Sequence, residues 1–104
     1  MKPTAVLVNT SRGPVIDEQA LARPLTESQI FAAGLDAFER EPGVHPGLLA
    51  CHNAVLLPHL GSATVQTRLT MANQAAGNLL AGLADRHPPA LVNPEAWEQR
   101  APNG

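Results

Sequence analysis

AVLVNTSRG, residues 5–13, sets the frame for this chain. Ala5-Val6-Leu7-Val8 is an unbroken apolar run that gives way to the polar turn Asn9-Thr10-Ser11-Arg12-Gly13. A strand that is apolar on both faces reads as an interior strand of a parallel sheet, because a half-exposed strand would alternate. Asp17 then stands where a helix N-cap belongs. Glu18 follows in the first turn, where a negative charge suits the helix dipole. Ile16, Ala20 and Leu21 supply the apolar side of this helix, and Pro24 is expected to end or kink it early. Ile30-Phe31-Ala32-Ala33-Gly34-Leu35 is a second apolar run, closing in Asp36. Strand, helix and strand in about 30 residues form a βαβ unit with a right-handed crossover.

Working outward, residues 39–53 (EREPGVHPGLLACHN) are rich in Pro and Gly and read as a loop with one helical turn near Leu48–Cys51. Ala54–Leu57 is the third strand, ended by Pro58, and Gly61-Ser62-Ala63-Thr64 turns into a helix. Val65, Leu69, Ala72, Ala76, Leu79, Leu80 and Leu83 recur at helical spacing and predict a long amphipathic helix over residues 64–85. His87-Pro88-Pro89 is expected to stop it. The tail, from Ala90, reads as partly extended and partly frayed, with its last residues disordered. The fold class is α/β: three parallel strands followed by a long helix.

Composition narrows the class. A chain of 104 residues is at most one domain. Its 44% hydrophobic and 15% charged content is ordinary for a soluble globular protein. The aromatics are Trp97, Phe31 and Phe38, so the core must be aliphatic. A net charge of −2 with no basic stripe argues against a nucleic-acid partner. Cys51 stands alone and has no internal disulfide partner, which fits a reducing cytoplasm. No apolar run approaches the roughly 18–20 residues of a membrane span, and MKPTAVLVNT has too short an apolar stretch for a typical signal peptide and no clear cleavage pattern. The expectation is a cytoplasmic protein without a membrane or nucleic-acid partner.

In open parallel sheets, ligands bind beyond the carboxyl ends of the strands. Arg12 follows strand one, Glu41 strand two and His59 strand three, so three ionisable side chains reach one edge. Arginine offers a planar fork that holds a carboxylate bidentately. A carboxylate beside a histidine favours its imidazolium, which can then give a proton to a carbonyl oxygen or take one from an alcohol. The trio suits a substrate with a carboxylate next to a C=O or C–OH group. Taken singly, each residue has a plainer reading: a solvated loop arginine, a wet charged patch at Glu39-Arg40-Glu41, a hydrogen-bonded structural histidine. Their convergence carries the argument. Rival chemistries are weak. His45, His52 and His59 recur every seven residues, but Pro46, Gly47 and Pro58 forbid the helix that would align them on a metal. Adjacent Cys51 and His52 do not face one another as a nucleophile pair, and Cys51 suits a small packing role.

At these residues the chain resembles the D-isomer-specific 2-hydroxyacid dehydrogenases, in their glyoxylate/hydroxypyruvate reductase branch. MKPTAVLVNTSRGPVIDEQAL, AAGLDAFEREP, HNAVLLPHLGSATVQTR and ANQAAGNLLAGL carry the resemblance, in the family's order, to about Asn93. It implies the C-terminal part of a Rossmann-like, NAD- or NADP-binding sheet over residues 1–63. Residues 64–87 would be a long helix returning toward the substrate domain, and 88–104 a tail. It implies Arg12 as the binder of the substrate carboxylate, Glu41 as partner of the catalytic histidine, and His59 as the acid/base. It places Thr10, Ser11, Arg12, Asp36, His59, Gly61 and Ser62 around the nicotinamide, with the Asp36 carboxylate on its carboxamide. The implied partner is a small 2-keto or 2-hydroxy acid, and the implied assembly a homodimer.

The GxGxxG turn that holds a dinucleotide pyrophosphate is not among the 104 residues. The stretch is therefore expected to be the C-terminal third of a dehydrogenase, inactive alone, with Met1 matching an internal methionine of the family. The apolar face of its long helix would then lack its usual cover and favour association. A nucleotide-sensing regulatory relative, or an inactive truncated copy of the same fold, is the alternative. Pro24 and the turn at Thr26-Glu27-Ser28-Gln29, which lacks the family's glycine, depart from the family pattern along the path into strand two.

Overall fold

The structure is a computed structural model and describes residues 1–100. The expected disorder of the last residues lies outside the described residues. Two compact units divide the chain, Met1–Ser62 and Ala63–Gly104.

The first unit is a βαβαβ run: β1 (Val6–Asn9), α1 (Glu18–Thr26), β2 (Ala32–Leu35), α2 (Pro46–Leu49) and β3 (Ala54–Leu56). The strands form one parallel sheet in the order β1-β2-β3, with Leu7 opposite Ala33 and Ala33 opposite Ala54. Asp17 caps α1 as expected, accepting the Ala20 amide at 2.8 Å. The helix does not stop at Pro24 but runs two residues further to Thr26, because a proline so near the carboxyl end sacrifices a single backbone bond. Its buried side is Leu21, Ala22 and Leu25, while Ala20 is exposed, contrary to the expected apolar side. The turn foreseen near Leu48–Cys51 forms two residues earlier. Pro46 opens it, and the His45 ring accepts the Gly47 amide as its cap at 3.1 Å.

The crossover helices α1 and α2 pack together on one face of the sheet. There Leu21, Leu25, Ile30, Ala33, Leu35 and Leu48 close a core with Phe38 and Cys51. The other face stays open: Val6, Val8 and Val55 are 56%, 67% and 62% exposed. The reading of Ala5–Val8 as an interior strand buried on both faces is thus corrected: β1 is an edge strand of the three-stranded sheet, and Val6 and Val8 are exposed. An apolar run alone does not tell a strand covered on both faces from one covered on a single face.

In the second unit, α3 spans Val65–Leu83, with Thr64 accepting the Thr67 amide at 3.1 Å as its N-cap. It ends before the prolines are reached. Asp85 adopts a left-handed conformation (φ 56°) and the Arg86 amide reaches back to the Ala81 carbonyl at 2.8 Å, a cap usually made by glycine. Of the apolar residues along α3, Ala81 is buried, whereas Val65, Leu69, Leu79, Leu80 and Leu83 are exposed. A short α4 (Pro94–Glu98) interrupts the expected frayed tail, and Arg100 stacks 3.5 Å from the centre of the Trp97 ring. Among the described residues no helix is long and apolar enough to cross a membrane.

Candidate active site

All three strands point the same way, so the segments that follow them emerge at one edge. Arg12 lies three residues past β1, Glu41 six past β2 and His59 three past β3. Two of the three meet directly. His59 Nδ1 lies 3.0 and 2.9 Å from Oε1 and Oε2 of Glu41. A carboxylate only accepts, so Nδ1 is the nitrogen that donates, and Nε2 is left to exchange a proton with a bound molecule. Glu41 is itself steadied by the Phe38 amide, which donates to Oε1 at 3.1 Å.

Arg12 sits on the same edge. Its Nη1 donates to the Ser11 carbonyl at 2.7 Å, and its charge is felt at Glu41. The Glu41 carboxyl is held below its ordinary range, first by the His59 hydrogen bond, then by the Phe38 amide, with the His59 and Arg12 charges adding to the effect and desolvation opposing it. Both side chains of the pair are well exposed, 44% for His59 and 38% for Glu41, so it adds little to stability.

A titration follows from this. Because folding lowers the Glu41 pKa, the small contribution of the pair is fully present above the ordinary glutamate range. It is lost as pH falls through the lowered value. Carboxyl ¹³C NMR should place the Glu41 midpoint below 4.5 in the native chain and move it back toward 4.5 in His59→Asn.

The turn bearing Arg12 is organised by Asn9, which the sequence reading left without a role. Asn9 is buried, its amide donates to the Arg12 carbonyl at 2.9 Å, and its Oδ1 accepts from both the amide (3.0 Å) and hydroxyl (2.8 Å) of Ser11. An Asn followed by small polar residues after a strand is the sequence signal for such a turn. Gly13 then passes against the chain beyond β2 so closely that a Cβ there would meet the Phe38 carbonyl at 1.9 Å. Glu18 is also buried. Its carboxylate takes the amides of Glu39 (2.6 Å) and His45 (2.8 Å), while Glu39 accepts the Glu18 amide at 3.0 Å. This clasp shapes the loop that presents Glu41, and the charged patch Glu39-Arg40-Glu41 is more than a wet surface.

Of the residues implied for the nicotinamide, Thr10 and Ser11 are exposed at the edge, Gly61 is exposed and Ser62 half-buried. Asp36 is buried at 5% exposure, and both its oxygens are engaged, accepting the amides of Leu60 and Gly61 at 2.6 Å each. Beside the His59–Glu41 pair runs an apolar cavity of about 280 Å³ lined by Phe38, Pro42, Leu49 and Leu57 among others. His45 and His52 lie away from His59, the first capping α2 and the second exposed. Among the described residues no group of three or more His, Cys, Asp or Glu gathers to hold a metal.

A parallel sheet with crossover helices, its ionisable side chains collected past the strand ends, is a portion of a Rossmann-like nucleotide-binding domain. Residues 1–61 match the model of the D-isomer specific 2-hydroxyacid dehydrogenase NAD binding domain, and the chain belongs to that family. It is 53% identical over 96 residues to glyoxylate/hydroxypyruvate reductase B of Enterobacter agglomerans, covering 91% of this chain and 30% of that protein. With the glyoxylate reductase of Thermococcus onnurineus it shares 50% over 102 residues, 98% of this chain and 30% of the relative. Among solved structures it is similar to the NADPH-dependent glyoxylate/hydroxypyruvate reductase of Sinorhizobium meliloti, crystallised with NADP and malonate. That match has 47% identity and a TM-score of 0.73, over 76% of this chain and 25% of the other. The chain spans about 30% of the length of the curated relatives it matches.

Proposed function

We propose that this chain carries the proton-transfer and carboxylate-binding part of an NAD(P)-dependent reductase acting on a 2-keto acid such as glyoxylate or hydroxypyruvate. The observation that carries the reading is the His59 ring. One nitrogen is fixed on Glu41 and the other left free, at the sheet edge that also bears Arg12. Arg12 would bind the substrate carboxylate and orient its keto group. His59 would deliver the proton from Nε2 to the keto oxygen as it becomes a hydroxyl, and Glu41 would hold the imidazolium before that transfer. Thr10, Ser11, Asp36, Gly61 and Ser62 fit the nicotinamide end of a dinucleotide: they follow the carboxyl ends of the strands, Thr10 and Ser11 are exposed, and the Asp36 carboxylate is bonded to the amides of the two residues after His59. The bound nicotinamide, as NADH or NADPH, would supply the hydride.

A pyrophosphate-holding GxGxxG turn is not among these residues, so turnover is expected to need one from elsewhere. On this reading residues 1–63 complete a nucleotide-binding sheet, and residues 64–87 lead toward a substrate domain, in a homodimer like that implied by the family.

The test is a chimera in which this chain replaces the matching segment of the Thermococcus onnurineus reductase, to which it aligns over 102 residues. Oxidation of NADH or NADPH on adding glyoxylate or hydroxypyruvate is expected from the chimera and not from the 104-residue chain alone. A chimera that binds cofactor but leaves both keto acids untouched would favour the regulatory alternative and end this proposal.

A further inference from the structure

We propose that Asp36 is a positioning residue whose buried carboxylate, seated on the amides of Leu60 and Gly61, holds the turn that aims His59 at Glu41. Asp36 lies at the carboxyl end of β2 and is tied to the neighbouring strand by its own amide, which donates to the Asn9 carbonyl at 2.9 Å. It is therefore a rigid post. Its two oxygens each accept an amide at 2.6 Å, the short distance of a charge-assisted bond.

Those amides belong to the two residues immediately after His59, which is itself left-handed at φ 56°. A histidine seldom takes that conformation unaided. Successive amides beside a left-handed residue converge into a small anion-binding concavity, and here the anion is the protein's own carboxylate. The His59 amide also reaches back to the Leu57 carbonyl at 3.1 Å, so the turn is tight on both sides. Fixing Leu60 and Gly61 fixes the direction in which the His59 side chain leaves the backbone. Glu41 is met from that direction. The role adds to the cofactor contact implied by the family resemblance. Its catalytic meaning rests on the proposed acid/base function of His59, but its geometry does not.

The experiment follows the Glu41 carboxyl by ¹³C NMR in the full 104-residue chain. In Asp36→Asn, a side-chain amide replaces one acceptor. The Leu60 and Gly61 amide resonances should lose their hydrogen-bonded shifts, and the Glu41 midpoint should climb toward 4.5 as His59 swings free. The amides of β1, β2 and β3 should stay in place. Removing the Asp36 charge would by itself favour ionised Glu41, so a rise cannot come from the lost charge.

Gly61→Ala provides a second route that keeps the carboxylate, since a Cβ there would press to 3.1 Å from Asp36 Oδ2. It should raise the midpoint in the same direction by a smaller amount, and it decides the matter if Asp36→Asn fails to fold. A Glu41 midpoint unchanged while the Leu60 and Gly61 amides move would overturn the proposal. Because no turnover is measured, that failure is distinct from an inactive chimera, which would count against the proposed reaction instead.

Discussion

Replacing His59 by asparagine in the reductase chimera is expected to lower kcat for glyoxylate by about 10²–10⁴-fold, the usual worth of a positioned general acid. Asparagine is chosen because it tolerates a left-handed backbone better than most residues, so the turn at φ 56° can persist. Its side-chain amide has no proton to give at neutral pH. Because His59 also stands near the nicotinamide on the family resemblance, cofactor affinity should fall by much less than kcat. Steady-state kinetics together with cofactor titration separate the two. Equal loss of cofactor binding and rate would point to a broken turn, and an unaltered kcat would remove His59 from the chemistry altogether. Arg12→Lys in the same chimera provides a contrast, since a point charge in place of a fork should raise KM for the keto acid well before it touches the proton step.

Gly13→Ala is expected to cost about 3 kcal/mol or more, at the severe end for a single methyl group. The added carbon would stand 1.9 Å from both the carbonyl carbon and oxygen of Phe38, and 2.4 Å from the Glu39 nitrogen. All three atoms are backbone, so no side chain can swing aside. Relief requires the loop beyond β1 to part from the loop beyond β2, which carry Arg12 and Glu41 respectively. Urea unfolding of the chain should show a lowered midpoint, and Arg12 should lose its influence on the Glu41 titration. Gly77 in α3 is the control: nothing lies within 4 Å of a Cβ there, and alanine should strengthen the helix by about 0.5–1 kcal/mol. A Gly13→Ala chain as stable as its parent would mean that the two loops are not in contact.

The order of strands and helices was legible because apolar runs and capping residues are local signals. Asp17 and the runs ending at Val8 and Leu35 lie where the structure needs them. The single covered face was not legible, since Val6 and Val55 look the same whether or not a second layer packs on them. At the site, the meeting of Glu41 and His59 was readable from topology, because parallel strands deliver their sequels to one edge; Arg12 follows β1 to that edge but bonds its own neighbour, Ser11. The supports beneath them were not. Asn9, Glu18 and Asp36 work through backbone amides that are 2 to 27 residues away in sequence, and an amide carries no side-chain identity to read.

The left-handed backbone at His59 has a further consequence. A non-glycine residue there gives up about 1–2 kcal/mol that glycine would keep. The protein thus trades durability for aim at the one position where a ring must point outward from a fixed stem. Any variant picked purely for heat resistance would be drawn toward shedding that ring, and, on the proposed acid/base role of His59, a gain in melting temperature there would be bought with reactivity.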